Sequence, residues 1–155
     1  MKEPGEIGGI QHTAADGAGQ VFHEAHEARA RVVLVDDDHD VQDLLEFMLE
    51  VDGRFQVVGR ASDGAGAVAL VERLRPDAVV LDLQLPGMGG LTALPLIRTR
   101  VPEARIVVFS AFPDPYTMVD VLQLGADGYL NKGATWLELV PTLASLCQLP
   151  SPLPA

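Results

Sequence analysis

The stretch 31-RVVLVDDDHD-40 decides how the rest of the chain is read. Its first half is an apolar, β-branched run that suits one short strand and is too short for a helix. Its second half sets Asp36, Asp37 and Asp38 side by side, with Asp40 close behind. At an effective dielectric of about 20, two like charges about 4 Å apart repel by about 4 kcal/mol. Stability does not ask for such a cluster, so a cation or a recognising surface has to make it useful.

The surroundings bound the answer. The chain has 155 residues, 48% apolar and 21% charged, which suits one soluble globular domain with a single core. No apolar run reaches the 18 residues that a membrane span needs, and the N-terminus lacks the apolar centre of a signal peptide. A single cysteine, Cys147, cannot form an internal disulfide, which fits a reducing cytoplasm. The formal charge of -11 disfavours direct nucleic-acid binding and suits a chain that holds cations and meets other proteins. Residues 1–30 show no sustained apolar period and are expected to form a disordered leader with a short helix near Val21 to Ala30.

From Arg31 onward, apolar runs alternate with helical patterns. "RVVLV" leads into Val41, Leu44, Leu45, Met48 and Leu49 at helical spacing. "FQVVG" leads into Ala67, Leu70, Val71 and Leu74, and "DAVVLD" into a helix near Gly90 to Arg100. "ARIVVFS" precedes a helix from about Asp114 to Leu124, and "DGYL" precedes a last helix from about Thr135. Continuous rather than alternating apolar strands indicate a parallel sheet covered on both faces. Right-handed crossovers then predict a flavodoxin-like (βα)5 doubly wound sheet with strand order 2-1-3-4-5. In that order the first and third strands adjoin at the switch point, so Asp36, Asp37 and Asp82 are expected to converge.

Three carboxylates at strand ends form a hard oxygen site suited to Mg²⁺. With such an ion, one carboxylate can act as a nucleophile toward a phosphoryl group, provided that cations and hydrogen-bond donors surround the transferred oxygens. Ser110 ends the fourth strand and Lys132 follows the fifth, so both requirements are met at matching strand ends. Any one of these residues alone reads as solvated surface or as a strand-end hydroxyl; the agreement of all five is what carries the chemistry.

Residues 31–149 resemble a response-regulator receiver domain, the phosphoacceptor module of two-component signalling. "LVDDD" is similar to the family's acidic pair, and "LDLQLPGMGG" to the segment around its phosphoacceptor. The resemblance implies that Asp82 accepts a phosphoryl group from a histidine kinase. It gives Asp36, Asp37, Asp82 and the backbone carbonyl of Gln84 as ligands of Mg²⁺, with Pro86 shaping the loop. Ser110 and Tyr129 take the switch positions and Lys132 that of the conserved-type lysine. "GADGYLNKGA" is most similar to the subfamily that carries a C-terminal helix-turn-helix, which implies transcriptional output through a domain outside this chain. By the same likeness the chain is a phosphoacceptor, not an enzyme, beyond self-phosphorylation from small donors and autodephosphorylation. Residues 150–155 then read as the start of a Pro-rich linker.

Some residues depart from the family pattern. Gly133 follows Lys132 where many receivers have proline, and a cis bond there would cost about 2.5–4 kcal/mol. Gly89 stands where an acid usually precedes the glycine. Pro95 and Pro141 fall inside helical patterns, so those helices either kink there or begin later. Asp38 and Asp40 read as surface acids, Asp38 alternatively as a helix N-cap. His23 and His26 of "HEAHE" lack zinc-protease spacing, and His39 has no partner among ligands. In the last helix Trp136, Leu139, Val140, Leu143 and Ala144 form the expected core stripe. Leu137, Leu146 and Leu149 lie off it and suit self-association or the docking of an output domain. Two other readings stay open. One is a receiver-like binding module that works without phosphorylation. The other is a haloacid-dehalogenase-like phosphatase, disfavoured because Asp40 fills the last place of its D-x-D-x-T/V motif. Flavin binding is weaker, since no Ser/Thr-rich phosphate loop follows the first strand.

Overall fold

The computed structural model describes residues 29–111, 115–133 and 136–152. His23, His26, Asp114 and Thr135 lie outside the described residues, as does the leader helix expected from Val21, except that Ala30 opens the first strand instead of closing a helix. The order is β1 (Ala30–Val35), α1 (His39–Asp52), β2 (Phe55–Ala61), α2 (Gly64–Leu74), β3 (Ala78–Leu81), α3 (Gly90–Arg100), β4 (Arg105–Ser110), α4 (Pro115–Gln123), β5 (Gly128–Asn131), a 3-10 turn (Trp136–Glu138) and α5 (Leu139–Leu146). All strand pairs are parallel and the sheet runs β2-β1-β3-β4-β5, the flavodoxin-like order expected.

The reason for the continuous apolar strands is visible in their side chains. Val33, Val35, Val79, Leu81, Ile106 and Val108 face the layer of α2, α3 and α4. Their neighbours Val32, Leu34, Val80, Val107 and Phe109 face α1 and α5 on the other side. Successive strand residues point to opposite faces, and here both faces are core.

Several helix expectations need correction. The buried stripe of α1 is Gln42, Leu45 and Leu49, whereas Leu44 is 47% exposed. Asp38 is the N-cap of α1, its carboxylate accepting from the backbone N–H of Asp40 and Val41. Pro141 is the third residue of α5, where a missing N–H has no intrahelical acceptor to lose, so this helix begins later than Thr135. Pro95 lies well inside α3, which continues to Arg100, and the Pro95 carbonyl accepts from the Thr99 hydroxyl at 2.8 Å. Leu146 and Leu149 pack against the α1/α5 core with Trp136, Val140 and Cys147, and only Leu137 stands off it, 88% exposed. The peptide bonds described are all trans, Lys132–Gly133 included.

The loop after β3 closes through two adjacent glycines with different roles. Gly89 caps α3 without a side-chain hydrogen bond, and a Cβ there would come no nearer than 3.6 Å to the Leu83 carbonyl. A Cβ on Gly90 would lie 2.4 Å from the backbone oxygen of Asp82 and 2.6 Å from the Leu83 Cα. Backbone cannot yield as a side-chain tip can, so Gly90→Ala is expected to destabilise by about 1–3 kcal/mol. Gly89→Ser should be neutral or slightly stabilising, because it supplies the missing cap. Urea unfolding of the two variants checks this; equal effects would mean that the loop is free to move.

Candidate functional site

Strand register assembles the site. Val35 pairs with Leu81, and the Asp82 N–H donates to the Val35 carbonyl at 3.0 Å, so the carboxylates just past β1 and β3 become neighbours. Ser110 pairs with Asn131, and the Lys132 N–H donates to the Ser110 carbonyl at 2.8 Å, which brings the lysine over the same end of the sheet.

Lys132 Nζ then spans the two acids, 2.5 Å from Asp36 Oδ2 and 3.1 Å from Asp82 Oδ2. Asp36 and Asp82 are buried and Asp37 is exposed. One carboxylate oxygen from each of the three lies within 4.8 Å of the others. Backbone donors hold the remaining oxygens: the Asp38 N–H reaches Asp36 Oδ1 at 2.9 Å, and the Gln84 N–H reaches Asp82 Oδ1 at 3.2 Å. Ser110 is fully buried, and its hydroxyl has no hydrogen-bond partner among the described residues. Tyr129 sits two pairing steps back on β5, opposite Val108, half-buried against the α2–α4 core. His39 is exposed at the first position of α1, and Asp40 is an exposed acid of its first turn.

Burial raises the pKa of Asp82; the Lys132 hydrogen bond and charge oppose this, and the Asp36 charge adds to it, with an upward net shift. For Lys132, burial pulls downward, but hydrogen bonds and charge from Asp36 and Asp82 outweigh it and the net shift is upward. Lys132 is therefore held in its charged form between the two acids.

Gln42 is the site-supporting residue that sequence reasoning missed. It is buried in the core stripe of α1, and its Nε2 donates to the Asp36 carbonyl at 2.6 Å and the Ala61 carbonyl at 3.0 Å. Those two bonds fix the turn carrying the acidic pair to the end of β2. The signal was present as a polar residue at the spacing of Leu45 and Leu49, but a glutamine beside Val41 reads as the edge of the stripe.

The donor set suits Mg²⁺: carboxylate oxygens at a water-accessible edge, with Asp37 free to approach, match a hard ion that keeps several waters. The same constellation can place a nucleophilic carboxylate beside an ammonium and a hydroxyl, which is the equipment of phosphoryl transfer.

Comparison with known proteins gives the same direction. The response regulator receiver domain family matches residues 32–144. The nitrate/nitrite response regulator protein NarL of Escherichia coli K12 is 37% identical over 119 residues, which is 77% of this chain and 55% of that protein. A LuxR-family two-component response regulator from Aurantimonas sp. SI85-9A1 superposes with a TM-score of 0.74 at 33% identity, covering 77% of this chain and 86% of that one. A chain of the CheX–CheY–BeF3–Mg²⁺ complex from Borrelia burgdorferi gives a TM-score of 0.71 at 26% identity, covering 76% and 88%. The chain spans about half the length of the curated relatives it matches.

The raised pKa of Asp82 has a consequence for metal-free protein. A group whose folded pKa lies above its unfolded one favours folding below the unfolded pKa and loses that contribution as pH rises through the folded one. Asp82→Asn in chelator is therefore expected to raise the urea midpoint at pH 7–8, with the gain shrinking toward pH 4. A variant less stable than wild type at neutral pH would show that the Lys132 attraction outweighs burial.

Proposed function

Because the chain belongs to the response-regulator receiver family, the receiver module of two-component signalling, we propose that Asp82 takes a phosphoryl group from a sensor histidine kinase. The observation that carries this reading is the Lys132 ammonium lying between Asp36 and Asp82, with the Ser110 hydroxyl, unpartnered among the described residues, at the end of the adjoining strand β4. An Asp82 carboxylate oxygen attacks phosphorus, the bond from phosphorus to the donor breaks, and an acyl phosphate results. Lys132 supplies a fixed positive charge where negative charge gathers on the transferred oxygens, and Ser110 supplies a donor. Asp36, Asp37, Asp82 and the Gln84 carbonyl would hold Mg²⁺, which when bound neutralises charge between the phosphoryl oxygens and the acids. A relative in the CheX–CheY–BeF3–Mg²⁺ complex lends support to that ion and to a phosphoryl mimic in the same kind of pocket.

Receiver domains are phosphoacceptors rather than classical enzymes; self-phosphorylation from a small donor is part of this proposal. Curated relatives are transcription regulators, and this chain covers about half of each, so control of transcription through an output domain in the cytoplasm is the role we assign. The switch would run from Ser110 to Tyr129. Ser110 moves toward the new phosphoryl oxygens, and Tyr129 follows into the space behind. An apolar surface lies nearby for the response to act on: Met118, Val119 and Leu122 of α4 are exposed, as is Leu137. We assign self-association or output-domain docking to that surface.

Acetyl phosphate with Mg²⁺ is expected to add one phosphoryl group by intact-mass spectrometry, lost on Asp82→Asn; label persisting in that variant would sink the assignment. In Mg²⁺ titration, Asp37→Asn should weaken binding strongly, Asp36→Asn less, and Asp38→Asn little, since Asp38 is occupied as an N-cap. The opposite ranking would shift the register along the three acids by one.

The contact surface is tested by sedimentation with and without beryllofluoride. Leu137→Glu is the clean probe, because Leu146 packs against the core and its loss would confound folding with association. A wild type that gains mass with beryllofluoride, and a variant that does not, is the expected pair of results. Association unchanged by Leu137→Glu would place the contact elsewhere.

A further inference from the structure

The opposite end of the sheet, away from the acidic site, holds a cavity of about 460 Å³. Pro76, Leu146, Cys147 and Leu149 give it an apolar part, and Arg75 and Arg105 line it as well. Its charge differs from that of the molecule as a whole. Arg75 is paired to Glu103 at 2.8 Å, and the Asp77 carboxylate accepts from the Arg31 N–H at 2.8 Å. Arg105 is less well served. It is about half exposed, and the acid it approaches, Asp127, is 3.7 Å away and already bonded to Arg98 and to the Ile106 N–H. In a chain of net charge -11, the lining sets Arg29, Arg75 and Arg105 against Asp77 and Glu103, so the arginines of this cavity outnumber its acids.

The described chain begins on the wall of this cavity, at Arg29 and Ala30. The 28 residues that precede it lie outside the described residues and carry one lysine, Lys2, against Glu3, Glu6, Asp16, Glu24 and Glu27. The leader's one aromatic residue is Phe22, next to Val21. We propose that residues 21–28 of the chain's own leader occupy this cavity, with Phe22 as the apolar anchor and Glu24 and Glu27 facing Arg75 and Arg105.

Reach does not limit this contact. Phe22 precedes Arg29 by seven residues, about 10 Å of chain if helical and about twice that if extended. Attachment at Arg29 also makes the contact intramolecular, so even a weak one is populated, because a short tether supplies an effective concentration in the millimolar range. The acids of the leader would otherwise add to a strongly negative surface; against Arg105 they complete an ion pair that the folded domain leaves long. Filling the cavity would also brace the end of α5, where Arg54 holds the Pro150 carbonyl at 2.9 Å as the chain leaves the domain. The leader would thus help to set the direction of whatever follows residue 152. This inference is independent of phosphoryl chemistry on Asp82.

Cys147 lines the cavity and is the chain's only cysteine, which gives the full-length protein its own reporter. The rate of Cys147 alkylation at pH 8 is expected to rise about fivefold or more in Phe22→Ala and in Glu24→Arg/Glu27→Arg, the factor that about 1 kcal/mol of lost docking energy brings. Arg105→Glu should do the same, and combining it with the leader charge reversals should restore slow alkylation. An Ala25→Cys variant under mild oxidation should form an intramolecular disulfide with Cys147, seen as a monomer by non-reducing electrophoresis and by mass, faster than a Gly9→Cys control. Alkylation rates unchanged by every leader variant would overturn the proposal. So would cross-linking found only in dimers, which would place the leader on a second copy, or equal cross-linking from both leader positions.

Discussion

One ammonium between two buried carboxylates is the constraint that the rest of the structure serves. Asp36 and Asp82 lie at adjacent strand ends with almost no exposed surface, and Lys132 reaches both. Buried ion clusters seldom increase stability, because desolvation offsets most of the attraction. What they do provide is a fixed arrangement, and here the arrangement depends on three separate strands. Asp36 follows β1, Asp82 follows β3 and Lys132 follows β5, so the cluster closes only when the parallel register is correct. Much of the surrounding detail supports that register. Gln42 ties the Asp36 turn to β2, the Asp38 and Gln84 N–H groups orient the carboxylates, and Gly90 lets the loop fold tightly under Asp82.

How much of this was legible in the sequence depends on the range of the interaction involved. The strands could be read because every apolar residue of β1, β3 and β4 contacts a core on one face or the other, which leaves an apolar run. Asp38 as N-cap could be read because capping is local chemistry, confined to the next three residues. Pro141 could be placed in the first turn only with the structure in hand, since the 3-10 turn at Trp136–Glu138 delays the start of α5. Leu146 and Leu149 were misjudged for a related reason. Helical spacing counted from Trp136 puts them off the stripe, but the helix does not run continuously from there. Gln42 and Gly90 were not legible as site-supporting residues, because their partners are backbone atoms of distant or folded-back segments that no spacing rule reveals.

The fold separates two kinds of work along the strand axis. At the C-terminal ends of the strands lie the acids, the lysine and the buried hydroxyl, where small movements change charge and hydrogen bonding. At the other end, arginines and the close of α5 surround the points where the chain enters and leaves. The sheet between them is apolar on both faces and close-packed, so it transmits displacement rather than absorbing it. A change confined to one strand end can therefore alter neighbouring helices without unfolding anything.

Ser110 shows why such a change would run in one direction. A buried hydroxyl without a partner costs about 1–3 kcal/mol, and Ser110 has none among the described residues. An acceptor oxygen brought to Asp82 would recover it, and the recovered energy is available only if Ser110 moves toward the site. Ser110 is bonded through its backbone to Lys132, and the Phe109 ring meets Trp136 edge-on at 4.8 Å, so the strand end is mechanically linked to both β5 and the 3-10 turn. A population shift needs a ligand that favours one state by a definite free energy. A hydroxyl that gains an acceptor would supply part of that difference before any partner protein arrives, and the half-buried Tyr129 lies two pairing steps back along the same pair of strands.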